Sequence, residues 1–225
     1  EWRHSGGMQV DSGTAHEVAE GAKHMTASLD MPGMLALAAA LGWASGFRLY
    51  AVVFLVGGMG ALGWLPLPAG LTVLQNPIVL FVSGFLLVVE FFADKVPWID
   101  SLWDSINAFI RVPAGALLAA GVFGADNASM ALAAGLGGGT LSATSLATKM
   151  TTRAAVNTSP EPFSNWSLSF LEDGLVVGAV WLATQHPIAF GFALLFVLIF
   201  SVVLMVVLFK FLRAAWRRVS GLLSD

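Results

Sequence analysis

The chain has 225 residues, 57% of them hydrophobic and 11% charged, with 11 Lys and Arg against 14 Asp and Glu for a net charge of −3, and a mean hydropathy of +0.79. Such a composition lies outside the range of soluble domains of this length and reads as a polytopic membrane protein, with the lipid bilayer as its main partner and nucleic acid not among its expected ones. The absence of cysteine excludes disulfides, thiolate metal sites and cysteine nucleophiles.

Residues 1–30 contain no apolar stretch of signal-peptide type. They are expected to be a leader arm added by cloning or left disordered, with Met25 as a plausible native start. His4, His16 and His24 all fall in this arm, leaving His186 alone downstream, which argues against a histidine metal site. No metal and no cofactor are expected.

From Asp30 to Glu90 the only charge between the ends is Arg48, and from Asp173 to Lys210 there is none. Continuous apolar runs of this length point to helices rather than barrel strands, because in lipid the backbone must satisfy itself. The expected fold is an all-α transmembrane bundle over 31–212 with a basic interfacial tail over 213–225. Six spans account for the chain, at about 33–62, 76–95, 104–124, 129–149, 166–184 and 187–210. The first is too long for one crossing: Met31 to Trp64 would make a helix of about 51 Å, interrupted by "SGFR" at 45–48. A break or re-entrant turn is expected there, and broken helices often build transport sites.

The segment "VVEFFADKVPWIDSLWDSINAFIRVPAGALLAA" at 88–120 concentrates charge between two oily stretches. Ala114 to Gly124 supplies only about 16 Å of helix against a hydrocarbon core of about 30 Å, so the third span must take in residues from the charged segment. On a helix starting near Pro97, Asp100, Asp104, Asn107 and Arg111 share an arc of about 60°, while Ile99, Leu102, Trp103, Ile106 and Ile110 take another face. Pro113 is expected to kink this helix.

Further along, Ser142, Ser145, Lys149 and Arg153 fall on one helical face at spacings of three, four and four. "NTSPEPFSN" at 157–165 reads as a turn, with Ser164 capping a helix that begins near Trp166. Counting about 1.5 Å per residue, Glu90 lies some 7 Å inside its span, and Glu172 and Asp173 about 10 Å inside theirs. Charges at that depth must turn into the bundle and find partners or water. They define a polar chamber with Glu90, Asp94, Arg111, Lys149, Arg153, Glu172 and Asp173 as pathway residues, supported by Asp100, Asp104, Asn107, Ser142, Ser145 and Asn157. Three deep carboxylates, Glu90, Glu172 and Asp173, face one deep arginine unless Arg48 also reaches them, and that surplus calls for a cation, a proton or a raised pKa.

Lys95, Lys149, Arg153, Arg213, Arg217 and Arg218 fall in segments of one parity, whereas "PLPAGLTVLQ", "GADNAS" and "TQHP" hold no Lys or Arg. By the positive-inside rule both termini are cytoplasmic. Gly42/Gly46, Gly135/Gly139 and Gly174/Gly178 have the spacing of close helix contacts. "GLGGGT" at 135–140 is not a nucleotide loop, since no strand precedes it and no GK[ST] follows. The similarity of "ALAAALG" at 36–42 to "ALAAGLG" at 131–137 is best explained by alanine-rich composition.

"VEFFADKVPWIDSLWDSINAFIRVPAGALL" together with "ATKMTTRAAVNTSPEPFSNWSLSFLED" resembles the bacterial integral membrane family catalogued as domain of unknown function 4126, over about residues 33–210. The resemblance implies a multi-helix, multi-pass protein of the bacterial inner membrane and transfers no catalytic residue. Three functions stay open. A small-solute or ion transporter or channel, cation- or proton-linked, leads. A structural or assembly protein whose charges only pair with one another follows. A lipid-headgroup enzyme comes last, because no GxSxG, HExxH or P-loop is present, so no enzyme is expected. A homo-oligomer is the default state of assembly.

Overall fold

The computed structural model describes residues 29–158 and 162–222. In chain order it contains α1 (Met31–Ala61), a 3-10 segment (Ala69–Gln75), α2 (Pro77–Ala93), α3 (Ile99–Phe123), a short 3-10 turn (Ala125–Asn127), α4 (Ala128–Val156), α5 (Pro162–Gln185) and α6 (Pro187–Leu222). Among the described residues there is no strand, and the chain is an all-α helical bundle. The leader arm expected over 1–30 lies almost wholly outside the described residues.

Local chemistry explains three of the six helix starts. The Asp30 carboxylate accepts a bond from the Gly33 N–H, with Pro32 in the first turn of α1. Asn76 caps α2 by accepting from Ile78 N–H just before Pro77, and Asn127 accepts from Met130 N–H at the start of α4. Each cap satisfies a backbone donor that the helix itself leaves free. Two expected starts differ. α3 begins at Ile99 rather than near Pro97, after Trp98, which holds a left-handed φ of 72°. α5 begins at Pro162, so Ser164 lies inside the first turn and is not its N-cap. Pro160 and Glu161 lie outside the described residues. α3 runs on through Pro113, and α6 runs unbroken from Pro187 to Leu222, so the basic tail extends the last helix and is not a separate one.

Side-chain exposure is inverted relative to a soluble protein. Phe81, Phe109, Leu117, Ile188, Phe192 and Phe196 are exposed, while Arg48, Glu90, Asp94, Asp104, Arg111 and Arg153 are fully buried. This is the arrangement a hydrocarbon solvent demands, because a charge facing lipid costs several kcal/mol and a phenylalanine facing it costs nothing. Four helices, Met31–Ala61, Ile99–Phe123, Phe163–Gln185 and Pro187–Arg218, are long and apolar enough to cross a membrane. A fifth candidate is the pair Ala69–Gln75 and Pro77–Ala93, bent by 68°. α4 has the length, at 29 residues, but glycine, serine and threonine lower its apolarity. Of the six expected spans, four thus meet this test, a fifth meets it as a bent pair, and the one over 129–149 does not.

α1 is the centre of the bundle. In its most apolar window 67% of the residues are buried, against 6% in α6. Its path reverses at Arg48, whose backbone is non-helical (φ −148°, ψ 82°). Before that point Gly42 lies against Gly138, the Trp43 carbonyl accepts from Ser145 Oγ, and the Phe47 carbonyl accepts from Lys149 Nζ, so residues 31–47 run parallel to α4. After it Tyr50 Oη donates to Asn107, Phe54 packs under Gly84, and Gly57 lies against Leu74 and Leu80, so residues 49–61 run back antiparallel to α2. α5 gives the same result: Trp43 and Leu55 both lie beside Gly174–Gly178 or Val176 and Val177, while Arg48 between them contacts Ser169 and Asp173. The two arms form a V with its apex at Arg48.

The reversal has a topological consequence. Met31, the 62–68 loop, the 125–127 turn and His186 lie at one end of the bundle. The α2–α3 turn, the C-terminal end of α4, the start of α5 and the last turns of α6 lie at the other. The two ends of the described chain are therefore at opposite ends of the bundle. The expectation that both termini share one side rested on counting the first span as a full crossing.

Candidate functional site

Five helices bring ten charged side chains to the V apex. α3 supplies Asp100, Asp104 and Arg111 from one face, all buried, while Leu102, Ile106, Phe109 and Ile110 point outward. The polar arc expected from spacing is thus the inner face. α4 supplies Lys149 and Arg153 from its buried stripe, α2 ends with Glu90 and Asp94, and α5 contributes Glu172 and Asp173. Arg48 comes from the break in α1.

The pairs are dense. The Arg111 guanidinium donates to Glu90 Oε1 and, at 2.8 Å, to Asp104 Oδ1. Arg153 holds Glu172 through Nε at 3.2 Å and Nη2 at 2.9 Å, and donates from Nη1 to the Asp94 carbonyl at 2.8 Å. Arg48 Nη2 lies 2.9 Å from Asp94 Oδ2 and donates to Ser169 Oγ at 2.6 Å. Arg48 Nε sits 2.9 Å from Asp173 Oδ1, an ion contact without hydrogen-bond alignment. Lys149 is the hub: its Nζ is 3.1 Å from Asp104, 3.4 Å from Glu172, 3.5 Å from Asp94 and 3.6 Å from Glu90. At the edge, Asn157 Nδ2 donates to both oxygens of Asp100, and Asn165 Nδ2 donates to Asn157.

Helix ends at the apex add to this field. The Phe47 carbonyl is one of the acceptors left over where the first arm of α1 stops, and Lys149 Nζ meets it at 3.1 Å. A cation at a helix C-terminus is favoured by the backbone dipoles as well as by the hydrogen bond. Glycine permits the close approach behind it. A Cβ on Gly42 would stand 2.5 Å from the Gly138 Cα, and one on Gly115 would stand 2.8 Å from the Ser142 Cβ.

All seven residues expected on the pathway meet in this one cluster, together with Asp100, Asp104 and Asn157, whereas Asn107 accepts from Tyr50 Oη and donates to the Trp103 carbonyl. Ser142 and Ser145 do not join them. Their hydroxyls donate to the Arg111 and Trp43 carbonyls and tie α4 to α3 and α1. The chamber is also not open: Glu90 and Arg111 are 0% exposed, Glu172 2% and Asp173 33%. Arg48, Asn165 and Ser169 escaped the site drawn from sequence. For Arg48 the signal was present, a lone charge in the "SGFR" interruption.

Counting the groups in contact, Glu90, Asp94, Asp100, Asp104, Glu172 and Asp173 face Arg48, Arg111, Lys149 and Arg153. The carboxylates exceed the cations by two. Glu90 Oε2, Asp94 Oδ1 and Asp104 Oδ2 are buried without a protein hydrogen-bond donor. Lys95, on the turn outside the helices, sits over the Phe91 ring, and its ammonium is pushed below the ordinary lysine range first by partial burial and then by the Arg48 charge. Among the described residues no group of three or more His, Asp or Glu side chains is arranged for a metal ion.

No curated protein and no solved structure matches the chain. The family model described as Domain of unknown function (DUF4126) matches residues 35–207, a stretch that takes in the V of α1 and every member of the charge cluster, and the chain belongs to that family.

Proposed function

We propose that the protein is an ion-linked transporter or channel, moving a proton or small cation through the charged half of the bundle. The observation behind this reading is the break of α1 at Arg48. A helix interrupted inside the hydrocarbon region leaves backbone polar groups that only protein, ligand or water can satisfy, and such interruptions are where membrane transporters place their binding sites. Here the interruption meets the ion-pair cluster, and buried charge within a bundle is costly unless it serves a purpose.

The protein on this reading is a multi-pass protein of the bacterial inner membrane, with the Lys- and Arg-bearing end cytoplasmic. Association into a homo-oligomer is carried over from the sequence and is measured by mass in detergent. The direct test is flux. Liposomes holding purified protein should show proton or monovalent-cation movement above protein-free controls when a gradient is imposed. Neutralising Lys149, as Lys149→Met, should abolish it.

A scaffold reading is favoured by one observation of its own: every cation in the cluster is paired, and nearly all of the cluster is dry. It takes over if wild-type liposomes show no flux across a panel of ions.

A further inference from the structure

Nine members of the cluster are sealed, with side chains at most 2% exposed, and one is not. Asp173 is 33% exposed and lines a cleft of about 460 Å³ between the second arm of α1, α2 and α5. The other walls are apolar: Ala51, Phe54, Leu87, Val88, Phe91 and Val177 among them. Asp173 is thus the one cluster member that reaches this cleft, with Arg48 Nε 2.9 Å behind it. The turn carrying Lys95 lies at the same end of α2 as Phe91, close enough for its ammonium to feel the Asp173 charge.

From Asp173 inward the ion contacts run through Arg48, the one group that touches both Asp173 and the sealed members. Arg48 touches Asp173 and Asp94 at 2.9 Å each and lies 3.8 Å from Glu172. Lys149 then joins Asp94, Glu172, Glu90 and Asp104 at 3.1–3.6 Å. Arginine does not release its proton at any working pH, so the exchangeable carriers along this chain are the carboxyls and Lys149. The three buried carboxylate oxygens without a donor, on Glu90, Asp94 and Asp104, lie at its inner end.

We propose that the α1–α2–α5 cleft is the proton port of the cluster, with Asp173 as the group that takes a proton from water and passes it to the buried carboxylates. This names the ion of the function proposed above and rests on that reading only for the claim that the proton goes on to cross the membrane. In the exchange, hydronium gives its proton to Asp173, forming an O–H bond and leaving water. The Asp173 carboxyl then gives the proton up to Asp94 or Glu172, the two acids that share the Arg48 guanidinium with it, and returns to carboxylate. The charged groups facing Asp173 during this step are Arg48 on α1, Asp94 and Lys95 at the end of α2, Lys149 on α4 and its neighbour Glu172.

The test separates the port from transport. After a pH jump, infrared difference spectra of the purified protein should show a protonated-carboxyl band from the buried acids. Asp173→Asn should slow its appearance at least tenfold, whereas Asp173→Glu should keep it near the wild-type rate. Val177→Trp, which fills the cleft without touching the Asp173–Arg48 contact, should slow it as well, and decides the matter if Asp173→Asn fails to fold. A wild type without such a band, or an unchanged rate in Val177→Trp or in folded Asp173→Asn, overturns the port. Absence of proton flux in wild-type liposomes, with the band still dependent on Asp173, overturns the transport function and leaves the port standing.

Discussion

Arg153 and Arg48 illustrate how differently two buried arginines in one cluster depend on their partners. Arg153 makes two charge-assisted bonds to Glu172, both ends sealed, so Glu172→Gln leaves a dry guanidinium facing a neutral amide. Breaking a buried pair on one side costs about 3–5 kcal/mol. Arg48 keeps Asp94 at 2.9 Å when Asp173 is neutralised, and Asp173 is partly exposed, so Asp173→Asn should cost under about 1 kcal/mol. Thermal unfolding in detergent should therefore rank Glu172→Gln well below Asp173→Asn. Equal losses in the two variants contradict this assignment of pairs. The same logic makes Glu90→Gln destabilising, because Arg111 and Lys149 both lean on that carboxylate.

At the scale of helices, glycine decides which faces meet. Gly42 and Gly46 of α1 face Gly138, Ser142 and Ser145 of α4 so closely that a single methyl has no room. Gly135 and Gly139 face Ala120 and Ala116 of α3 with slightly more space, at 3.4 and 3.2 Å for an added Cβ. Gly174 and Gly178, alike in spacing, face nothing within 4 Å, and the contact expected there does not form within the chain. Gly42→Ala should destabilise the bundle by about 1–3 kcal/mol through overpacking. Gly174→Ala should be neutral or stabilising by up to about 1 kcal/mol, since alanine is the better helix former. Melting temperatures of the two variants check this contrast. GxxxG spacing was legible in all three pairs, but spacing states only that a close approach is permitted. Whether a neighbour arrives depends on where the other helices go.

For the molecule as a whole, the V of α1 makes a prediction that a straight first helix does not. The chain is free of cysteine, so single substitutions can be labelled one at a time. Met31→Cys and Asp126→Cys lie at one end of the bundle and should react with an impermeant thiol reagent from the same side of the membrane. Ser101→Cys and Thr158→Cys lie at the other end and should react from the opposite side. Labelling of Met31→Cys together with Ser101→Cys requires α1 to cross in one pass, which the contact of Gly42 with Gly138, taken together with that of Gly57 with Leu74, does not allow.

The sequence by itself determined the solvent, the helical class and the inner face of two helices. Hydrocarbon admits only self-satisfied backbone, and a period of 3.6 residues aligns Asp100, Asp104, Asn107 and Arg111, or Ser142, Ser145, Lys149 and Arg153, without reference to any partner. The interruption at "SGFR" was visible too, because a helix of that length overshoots a bilayer. Only the tertiary structure decided that the chain turns back there and carries Arg48 into the cluster. Direction after a break is set by packing against α2, α4 and α5, and no local pattern encodes it. Pairing was likewise beyond the sequence: Arg111 takes Glu90 and Asp104, while Glu172 goes to Arg153 and Asp173 to Arg48. Charges at equal depth are interchangeable on a helical wheel, and the choice among them follows from a few ångströms of helix position.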